Sequence, residues 1–448
     1  MKVTSMIRIY NTVSAQEEEL RPLSPPTITL YVCGITPYDY AHVGHARVYV
    51  TFDVLYRLLK AYGYRVIYCR NFTDIDDKII KKAQEIYNDP LRYADITQQY
   101  IRAFHHDMDA LNCLRPTYEP HVTQHIPEII TFIQKLIDTG HAYQVNGDVY
   151  FSIPSFTAYG KLSKRTIDDM RVGARVELNE KKHNPLDFAL WKGEPDGIFW
   201  KSPWGYGRPG WHIECSALAS KYLGNHIDIH AGGLDLVFPH HENEIAQSES
   251  VHGAPFATYW MHNGFVQVNH EKMSKSLGNF LTLHDIFKKF HPHIVRFYLL
   301  SHHYRAPLEF TFDDLANSAK AYNRICRAFA KVMTGHFDNT VLLDNPVIKR
   351  MLVYLDDDLN IQGAFGLLFE HLAAWASSPD APYIKSFMMH VLGLPLDSIP
   401  EHEPVITPEI ADLIAQREEA RTAKDWARAD TIRKQLQDLG VEVKDTKI

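Results

Sequence analysis

The pattern between residues 27 and 70 constrains the fold more than any other part of the sequence. Thr27–Cys33 is a run of β-branched and aromatic residues that ends at Gly34, and Tyr64–Cys69 is a second such run. Between them lies one apolar face with helical spacing, formed by Val48, Phe52, Leu55, Leu59 and Tyr62. A strand, a helix over about 45–62 and a strand form a β-α-β unit with parallel strands. The sequence therefore predicts an open α/β sheet.

The rest of the chain indicates that this sheet is interrupted and then followed by helices. Residues 80–143 have mostly helical periodicity, whereas 144–210 are rich in glycine, proline and aromatic residues, which favours an insertion of short strands and loops. Sheet patterns resume at His226–His230 and run again from Thr258 to Val268. Helices are predicted from about Pro239 to Val251, from near Thr282, over 315–390 and over 409–439, where the last follows a proline-rich linker.

Composition excludes several classes of protein. The chain has 448 residues, a formal charge of −7 and 45% hydrophobic residues, which fits a globular protein and excludes disorder or a histone-like coat on nucleic acid. Five scattered cysteines without a CxxC pattern argue against a disulfide framework and for a reducing compartment. No run of 18 apolar residues is present. We therefore expect a cytoplasmic protein without a membrane partner.

The first candidate motif is His42-Val-Gly-His45, at the start of the predicted helix. Backbone N–H groups and the helix dipole favour anions there, and imidazolium donors could stabilise charge that develops on a phosphate. Gly44 would let a flat group such as an adenine ring approach the backbone. By itself the pattern is weak, and two helix-capping histidines are an equally good interpretation.

The second motif is Lys272-Met-Ser-Lys-Ser276. Lys272 and Lys275, three residues apart among serines, form a cationic loop suited to the β- and γ-phosphates of a nucleoside triphosphate. The alternative interpretation is a solvated polar turn, which becomes less favoured when the two-histidine motif precedes it.

A third set of residues could bind a metal ion. His240 and Glu244 are four residues apart, on one face of a predicted helix, although a surface His/Glu pair is the simpler interpretation of that spacing. Cys33 lies beside the two-histidine loop, and Cys215 enters the same α/β domain. Two thiolates, an imidazole and a carboxylate would complete a tetrahedral zinc set. The remaining cysteines, Cys69, Cys113 and Cys326, are expected to be buried apolar residues.

Together these motifs resemble the cysteinyl-tRNA synthetases, a family of class I aminoacyl-tRNA synthetases. The resemblance runs in order through nearly the whole chain and rests on Cys33-Gly, His42-Val-Gly-His45-Ala-Arg, Gly207-Arg-Pro-Gly-Trp-His-Ile-Glu-Cys215, Asp228-Ile-His-Ala-Gly-Gly-Leu-Asp235, Phe238-Pro-His-His-Glu-Asn-Glu244 and Lys272-Met-Ser-Lys-Ser276. It implies activation of L-cysteine with ATP and magnesium, transfer to the 3′ end of tRNA(Cys), and a monomer.

The resemblance also implies a Rossmann-type parallel-sheet catalytic domain with a connective insertion, a helical bundle and a small tRNA-binding module. The implied units are the first half of the catalytic domain at 1–143, the insertion at 144–210, the second half at 211–268, the KMSKS loop and stem-contact region at 269–314, the helical bundle at 315–395, and a shortened anticodon-binding module at 396–448.

In family terms, one zinc ion per chain would be held by Cys33, Cys215, His240 and Glu244, the same set that the residues suggested. A soft thiolate competes for zinc far better than a hydroxyl, so the metal would select cysteine over serine. The implied roles of the other residues are catalysis for His42, His45, Lys272 and Lys275, ATP binding for Gly44, His45, Gly232, Gly233, Asp235 and Lys275, and binding of the amino acid for Thr73, Trp211 and His230.

Some positions depart from the family pattern, and two alternatives stay open. Val43 replaces a more usual isoleucine, Ile35 and Pro37 differ from the expected loop residues, and no Gly- and Trp-containing tail follows Thr446. One alternative is a related ligase that passes activated cysteine to an amino sugar; it should lack the C-terminal module. The other is a non-catalytic RNA-binding paralogue, which should have lost a motif histidine or lysine.

Overall fold

The computed structural model describes residues 7–166, 182–268, 271–272, 281–335, 337–397, 408–423 and 425–438. The strands in these residues are β1 (Arg8–Asn11), β2 (Gln16–Glu19), β3 (Thr27–Val32), β4 (Arg65–Cys69), β5 (Ala142–Val145), β6 (Asp148–Phe151), β7 (Phe188–Gly193), β8 (Trp200–Ser202), β9 (Gly205–Pro209), β10 (Ile227–Gly233), β11 (Ala257–Asn263), β12 (Val266–Val268), β13 (Glu271–Lys272) and β14 (Leu308–Glu309).

The α-helices in the same residues are α1 (Val43–Ala61), α2 (Asp77–Tyr87), α3 (Tyr93–Ala110), α4 (Ile126–Asp138), α5 (Trp211–Leu223), α6 (Glu242–His252), α7 (Leu283–Phe287), α8 (Pro292–Leu300), α9 (Phe312–Phe329), α10 (Asn339–Asp344), α11 (Pro346–Leu355), α12 (Ile361–Ala376), α13 (Ala381–His390), α14 (Pro408–Thr422) and α15 (Trp426–Asp438). A short π-helical turn, Val237–His241, precedes α6.

Four parallel strands form the central sheet in the order β11-β10-β3-β4. The β3-α1-β4 unit is the one that the sequence predicts, and the α/β fold class is confirmed. Leu30 and Val32 of β3 face one hydrophobic core, whereas Tyr31 and Cys33 face a second core. This burial on both faces is typical of a parallel sheet covered by helices on both sides.

The chain leaves β3 toward β4 on one side and later returns to place β10 on the other side of β3. Such a reversal is a topological switch point, and its carboxyl edge opens a crevice that binds ligands in open α/β sheets. Cys33 follows β3 directly, and β10 ends at Gly233. The switch point therefore brings Cys33-Gly and the motif Asp228–Asp235 to one edge of the sheet.

The helix α1 begins at Val43, two residues earlier than the apolar periodicity predicts. His42 is the N-cap residue, and its side chain accepts a hydrogen bond from the backbone N–H of His45 at 3.3 Å. The His45 side chain in turn accepts from the N–H of His42 at 3.3 Å. Capping therefore does not exclude a functional role for these two side chains. The caps hold both imidazole rings at the end of the helix that favours anions.

The predicted single strand from Thr258 to Val268 is wrong. The structure divides it into β11 in the parallel sheet and β12 in a separate sheet of order β13-β12-β14. The break is at Gly264, where a Cβ atom would lie 2.5 Å from the carbonyl oxygens of Arg305 and Ala306. No side chain fits between these two backbone segments.

The buried side chain of Arg47 fixes the backbone at this break. Its guanidinium is almost completely buried and donates to the carbonyl oxygens of Gly264 and Phe265, each at 3.0 Å, and of His303 at 2.9 Å. Burial lowers the pKa of Arg47 to about 10. Since Arg47 lies one turn after the two histidines, the start of α1 and the chain that leads to β12 are fixed to each other.

The insertion is more regular than its glycine and proline content suggests. It contains a five-stranded antiparallel sheet in the order β5-β6-β7-β9-β8, which starts at Ala142. Several of its glycine and proline residues lie within the strands, such as Gly207 and Pro209 of β9, which pair with Gly193 and Trp191 of β7. Lys192 and Arg208 of this sheet form ion pairs with Asp77 at the start of α2.

Helices α9 to α13 form the region that the sequence predicts to be helical. The proline-rich linker lies largely outside the described residues, and two helices follow it. Their contact is a small apolar cluster of Leu413 and Ile414 against Ile432 and Leu436. All five cysteines are free and buried, as expected for Cys69, Cys113 and Cys326. Among the described residues, no helix is both long enough and apolar enough to cross a membrane.

We expect Arg296 to be essential for the stability of the fold. Its completely buried guanidinium pairs with Asp53 of α1 and donates to the carbonyl oxygens of Leu392 at 2.9 Å and Leu111 at 3.0 Å. Arg296→Met leaves Asp53 buried with a single remaining ion-pair partner, Arg57, and should lower the free energy of unfolding by about 3 kcal/mol. Urea unfolding measures this change.

The matched control is Lys349→Met, which removes an exposed cation from a surface pair with Asp344. It should change the free energy of unfolding by less than about 1 kcal/mol. Equal effects of the two substitutions would contradict the role given to Arg296.

Candidate metal centre and nucleotide pocket

Four side chains from distant parts of the sequence meet at the carboxyl edge of the sheet. The Sγ atoms of Cys33 and Cys215 are 3.8 Å apart, and Oε1 of Glu244 lies 3.5 Å from the Cys33 Sγ atom and 3.0 Å from Nε2 of His240. One ligand atom from each residue lies within 4.8 Å of those of the other three. We call Cys33, Cys215, His240 and Glu244 the four-residue cluster. It is the set that the sequence suggests for zinc.

The backbone explains why these residues meet. Cys33 follows β3, Cys215 is on α5, and Glu244 is on α6. His240 lies in the π-helical turn before α6, so the predicted regular helix from Pro239 is wrong at its first turn. The four-residue spacing of His240 and Glu244 nevertheless places their side chains in contact.

Burial and mutual charge control the proton affinities of the cluster. Burial and the neighbouring Cys215 and Glu244 raise the pKa of Cys33 well above its usual value. Burial also opposes ionisation of Cys215, but the hydrogen bond from Cys33 and the charge of His240 outweigh it and lower the pKa of Cys215 to about 6. Burial is likewise outweighed at His240, where the charge of Glu244 raises the pKa to about 10, and at Glu244, where the charges of His230 and His240 lower the pKa to about 2. The cluster therefore contains buried charges.

The donor set fits a zinc ion on its own chemistry. Each member of the cluster is at most 4% exposed, and buried charges are costly unless they are paired or bind a metal. Two sulfurs, one imidazole and one carboxylate oxygen are donors that zinc accepts in tetrahedral sites. A divalent cation at their centre would neutralise the thiolates and the carboxylate together.

A second possible donor set shares two members with the first. It consists of Cys33, Glu244, His230 and His241. Nε2 of His241 lies 3.3 Å from the Cys33 Sγ atom, and Nδ1 of His241 contacts Nε2 of His262 at 2.8 Å. This set has only one sulfur, and the two sets cannot be filled at once because both need Cys33 and Glu244. Sequence reasoning missed His241, although it is the neighbour of His240.

Further side chains orient the cluster. His230 contacts Oε2 of Glu244 at 2.8 Å, and Nδ1 of His212 contacts Nδ1 of His240 at 3.0 Å. Trp211 stacks on His240 with the ring centroids 4.4 Å apart. Such outer contacts fix the direction in which a metal ligand points.

A cavity of about 330 Å³ opens beside the cluster. Cys33 and Trp211 line it, and so do several of the residues suggested for catalysis or nucleotide binding, namely His42, Gly44, His45, Gly233 and Asp235. The rings of His42 and His45 are stacked 3.6 Å apart. The cavity is thus continuous between the four-residue cluster and the two-histidine motif.

Three predicted residues lie in other positions. Gly232 is not among the residues that line the cavity; a Cβ atom there would come within 2.9 Å of Cε1 of His241. Thr73 is buried and donates to Oε2 of Glu214 at 2.6 Å. His230 is completely buried behind Glu244. Thr73 therefore contacts Glu214, a neighbour of the cluster, and His230 contacts Glu244, a member of it; neither is among the residues that line the cavity.

Sequence reasoning missed two buried polar residues beside Cys215. Asn71 accepts a hydrogen bond from the N–H of Gly34 at 2.9 Å, and its Oδ1 atom lies 3.7 Å from the Cys215 Sγ atom. Glu214 is buried beside Cys215, and burial raises its pKa well above the usual range. The position of Asn71 in the sequence could have identified it as a site residue, because it comes shortly after β4, at the edge where the parallel strands end.

The structure describes only part of the Lys272–Ser276 motif. Lys78 lines the cavity and was not predicted. Lys272 belongs to β13, which pairs with β12 through Gln267, but its side chain and all of residues 273–280, including Lys275, lie outside the described residues. The chain that follows returns to the two-histidine motif, because the N–H of Leu283 donates to the carbonyl oxygen of Ala41 at 2.8 Å.

Comparisons with known proteins identify the family of this chain. Residues 19–320 match the family model described as tRNA synthetases class I (C) catalytic domain, and residues 403–447 match the model described as cysteinyl-tRNA ligase anticodon binding domain. The first match covers well over half of the chain.

Curated relatives match over nearly the full length. A cysteine–tRNA ligase from Geobacillus thermodenitrificans is 45% identical, with 99% of this chain and 98% of that protein covered. One from Trichlorobacter lovleyi is 44% identical, with 98% of each chain covered.

Solved structures show the same fold at low identity. A Mycobacterium tuberculosis methionyl-tRNA synthetase in complex with methionyl-adenylate has a TM-score of 0.54 at 14% identity, over 82% of this chain and 90% of that one. An Agrobacterium radiobacter LeuRS in a ternary complex with tRNA has a TM-score of 0.59 at 12% identity, over 86% and 88%. With the family models and the curated relatives, these findings show that the chain belongs to the cysteine–tRNA ligase family.

Proposed function

We propose that this enzyme activates L-cysteine with ATP, forms cysteinyl-adenylate, and transfers the cysteinyl group to the 3′ end of tRNA(Cys). One observation carries the proposal: Cys33 belongs both to a buried thiol-containing cluster and to the wall of a cavity that the two-histidine motif also lines. This arrangement supports a thiol-selecting site and a phosphate-binding site that share one small-molecule cavity.

We propose that Cys33, Cys215, His240 and Glu244 hold one zinc ion. When bound, zinc supplies a soft Lewis acid that accepts the thiolate of cysteine far better than the hydroxyl of serine. Trp211 packs on His240 and faces the cavity, so it would bound the space left for the amino acid. Thr73 and His230 would act from behind this space by orienting Glu214 and Glu244.

In the first step, a carboxylate oxygen of cysteine attacks the α-phosphorus of magnesium-bound ATP. A new oxygen–phosphorus bond forms, the bond from the α-phosphorus to the bridging oxygen breaks, and pyrophosphate leaves. His42 and His45 would donate hydrogen bonds to the transferring phosphate, assisted by the N-terminus of α1. Lys272 and Lys275 would hold the departing pyrophosphate.

The nucleotide would lie along the opposite wall of the cavity. Gly44 would let the adenine ring approach α1, and the carboxylate of Asp235, which also lines the cavity, would accept hydrogen bonds from the ribose hydroxyls. Gly233 adjoins this carboxylate, since a Cβ atom there would come within 2.5 Å of Oδ1 of Asp235. Gly232 would keep the strand close to His241.

In the second step, a ribose hydroxyl at the 3′ end of tRNA(Cys), by class resemblance the 2′-OH, attacks the carbonyl carbon of cysteinyl-adenylate and releases AMP. The match of residues 403–447 to an anticodon-binding model supports tRNA as the acceptor rather than an amino sugar. The free cysteines support our proposal of a cytoplasmic enzyme, and the family resemblance supports a monomer.

Cysteine-dependent exchange between ATP and pyrophosphate tests the activation step. We expect exchange with cysteine to exceed that with serine at least about 100-fold, which corresponds to about 2.7 kcal/mol. Removal of zinc with a chelator should abolish the preference, and added zinc should restore it. Equal exchange with both amino acids, or indifference to zinc, would refute the selectivity mechanism.

Charging of tRNA tests the acceptor. With cysteine and ATP, the enzyme should attach cysteine to tRNA(Cys) and leave a tRNA of another specificity uncharged. The amino sugar glucosaminyl-inositol serves as the competing acceptor. Formation of a cysteinyl amide on that sugar, with no charged tRNA, would favour the alternative ligase.

Substitution in the four-residue cluster tests the metal site. Cys215→Ala should remove the stoichiometric zinc, because only one sulfur remains among the donors. The control is Cys69→Ala, which changes another completely buried cysteine outside the cluster and should keep one zinc per chain. Elemental analysis of the dialysed proteins provides the measurement, and equal zinc contents of the two variants would contradict the assignment.

A further inference from the structure

One loop of the insertion lies across the chain segment that carries two members of the four-residue cluster. It is Tyr159–Arg165, which comes shortly after β6 and which we call the clasp loop. At the first end of the segment, the guanidinium of Arg165 lies 4.7 Å from the ring centre of Phe238. At the other end, Lys161 forms an ion pair with Glu249 at 2.6 Å. The clasp loop therefore spans the chain from the π-helical turn into α6.

Glu242 lies at the centre of this contact. The residue is completely buried, and its carboxylate accepts hydrogen bonds from the backbone N–H groups of Gly160 at 3.0 Å and Ser163 at 2.8 Å. The N–H group of Leu162 adds a longer hydrogen bond at 3.4 Å. Burial of a carboxylate is costly unless hydrogen bonds satisfy it. These N–H groups therefore hold the Glu242 side chain against the clasp loop.

Two further features fit the clasp loop to α6. The backbone at Gly160 has a φ of 98°, which glycine adopts without the steric penalty that other residues meet there. The hydroxyl of Tyr159 donates a hydrogen bond to Oδ1 of Asn243, the residue after Glu242, and both side chains are buried. Neighbouring residues of the loop therefore contact neighbouring residues of the helix.

The side chain of Glu242 points away from the four-residue cluster. Glu242 and Glu244 are two residues apart in α6, which separates them by about 200° around a helix with 3.6 residues per turn. Glu244 faces the cluster, whereas Glu242 faces the clasp loop and belongs to neither possible donor set. Because hydrogen bonds are directional, those of Glu242 fix the rotation of α6 about its axis. That rotation determines where Glu244 points.

The position of His240 depends on the same contacts. His240 lies in the π-helical turn Val237–His241, in which Phe238 has extended backbone angles, with φ −140° and ψ 131°. Turns of this kind are rare and occur mostly at functional sites. Arg165 covers Phe238 before His240, and the clasp loop binds Glu242 after it. The loop therefore contacts the chain on both sides of this metal-ligand candidate.

We propose that Glu242 is a positioning residue of the metal site. Through its hydrogen bonds to the clasp loop, it holds His240 and Glu244 in the orientation in which they bind zinc. This inference rests on the proposed function, because it deepens the metal site that the function requires. Replacement of a residue that orients metal ligands without touching the metal typically changes metal affinity by about 10- to 100-fold. The connective insertion thereby takes part in the choice of the amino acid.

The test measures zinc release from the full-length enzyme with Glu242→Gln. This substitution keeps the size of the side chain, but the new amide nitrogen cannot accept a hydrogen bond from a backbone N–H group. Transfer of zinc from the loaded enzyme to an excess of a chromogenic chelator should be at least about tenfold faster than in the wild type. In the exchange of ATP with pyrophosphate, the KM for cysteine should rise at least about fivefold, and the KM for ATP should stay within about twofold.

The matched control is Asp187→Asn, in the same insertion but outside the clasp loop. Asp187 is also buried, and its carboxylate accepts from the N–H groups of Ile153 at 2.9 Å and Asn184 at 3.0 Å. This substitution should lower the stability of the protein, because a buried hydrogen bond is lost, and keep zinc release within about twofold of the wild type. Equal acceleration of zinc release by the two substitutions would overturn the proposal.

A milder variant replaces Glu242→Gln if that protein does not fold. Tyr159→Phe removes only the hydroxyl that donates to Asn243 and keeps the ring in the core, so zinc release should be at least about threefold faster. Release at the wild-type rate from either folded variant would overturn the positioning role and leave the metal site intact. A wild type that retains no zinc after dialysis would overturn the proposed metal site, and the role of Glu242 with it.

Discussion

The pairing of β3 with β10 is the contact on which the rest of the site depends. It joins residues about 200 positions apart, with Leu30 beside Ile229, and it extends past the strand as the N–H of Cys33 donates to the carbonyl oxygen of Ala231 at 3.1 Å. The carboxylate of Asp228 reinforces it by accepting from both the N–H and the hydroxyl of Thr29, at 2.8 and 2.7 Å. Asp228 belongs to a motif of the family, yet its visible contacts hold the strands together.

From this pairing follows the electrostatic character of the site. It places the almost completely buried Cys33 beside Cys215 and the acidic side chain of Glu244. Glu244 lies within 3.5 Å of three neighbours, His230, His240 and Cys33, so a single buried carboxylate organises much of the cluster. In the proposed function, that cost of burial is offset by a divalent cation, and the same cation gives the site its preference for sulfur.

The nucleotide side of the cavity depends on connections that begin at α1. His42 and His45 cap the helix, Arg47 fixes the chain at Gly264 and Phe265, and Ala41 accepts from Leu283 on the far side of the lysine motif. The described chain on both sides of Lys272–Ser276 is thus tied to the two-histidine motif.

The sequence by itself determined the β-α-β unit, the capping of α7 by Thr282 and the type of donor atoms in the four-residue cluster. Local periodicity, capping and donor chemistry do not depend on distant contacts, so they can be deduced from neighbouring residues. Only the tertiary structure decided that β11 ends at Asn263, before Gly264, that His241 and Asn71 adjoin the cluster, and that Thr73 and His230 do not line the cavity. These features are set by which backbone segments approach each other, and close approach between segments far apart in the chain leaves no periodic trace in the sequence.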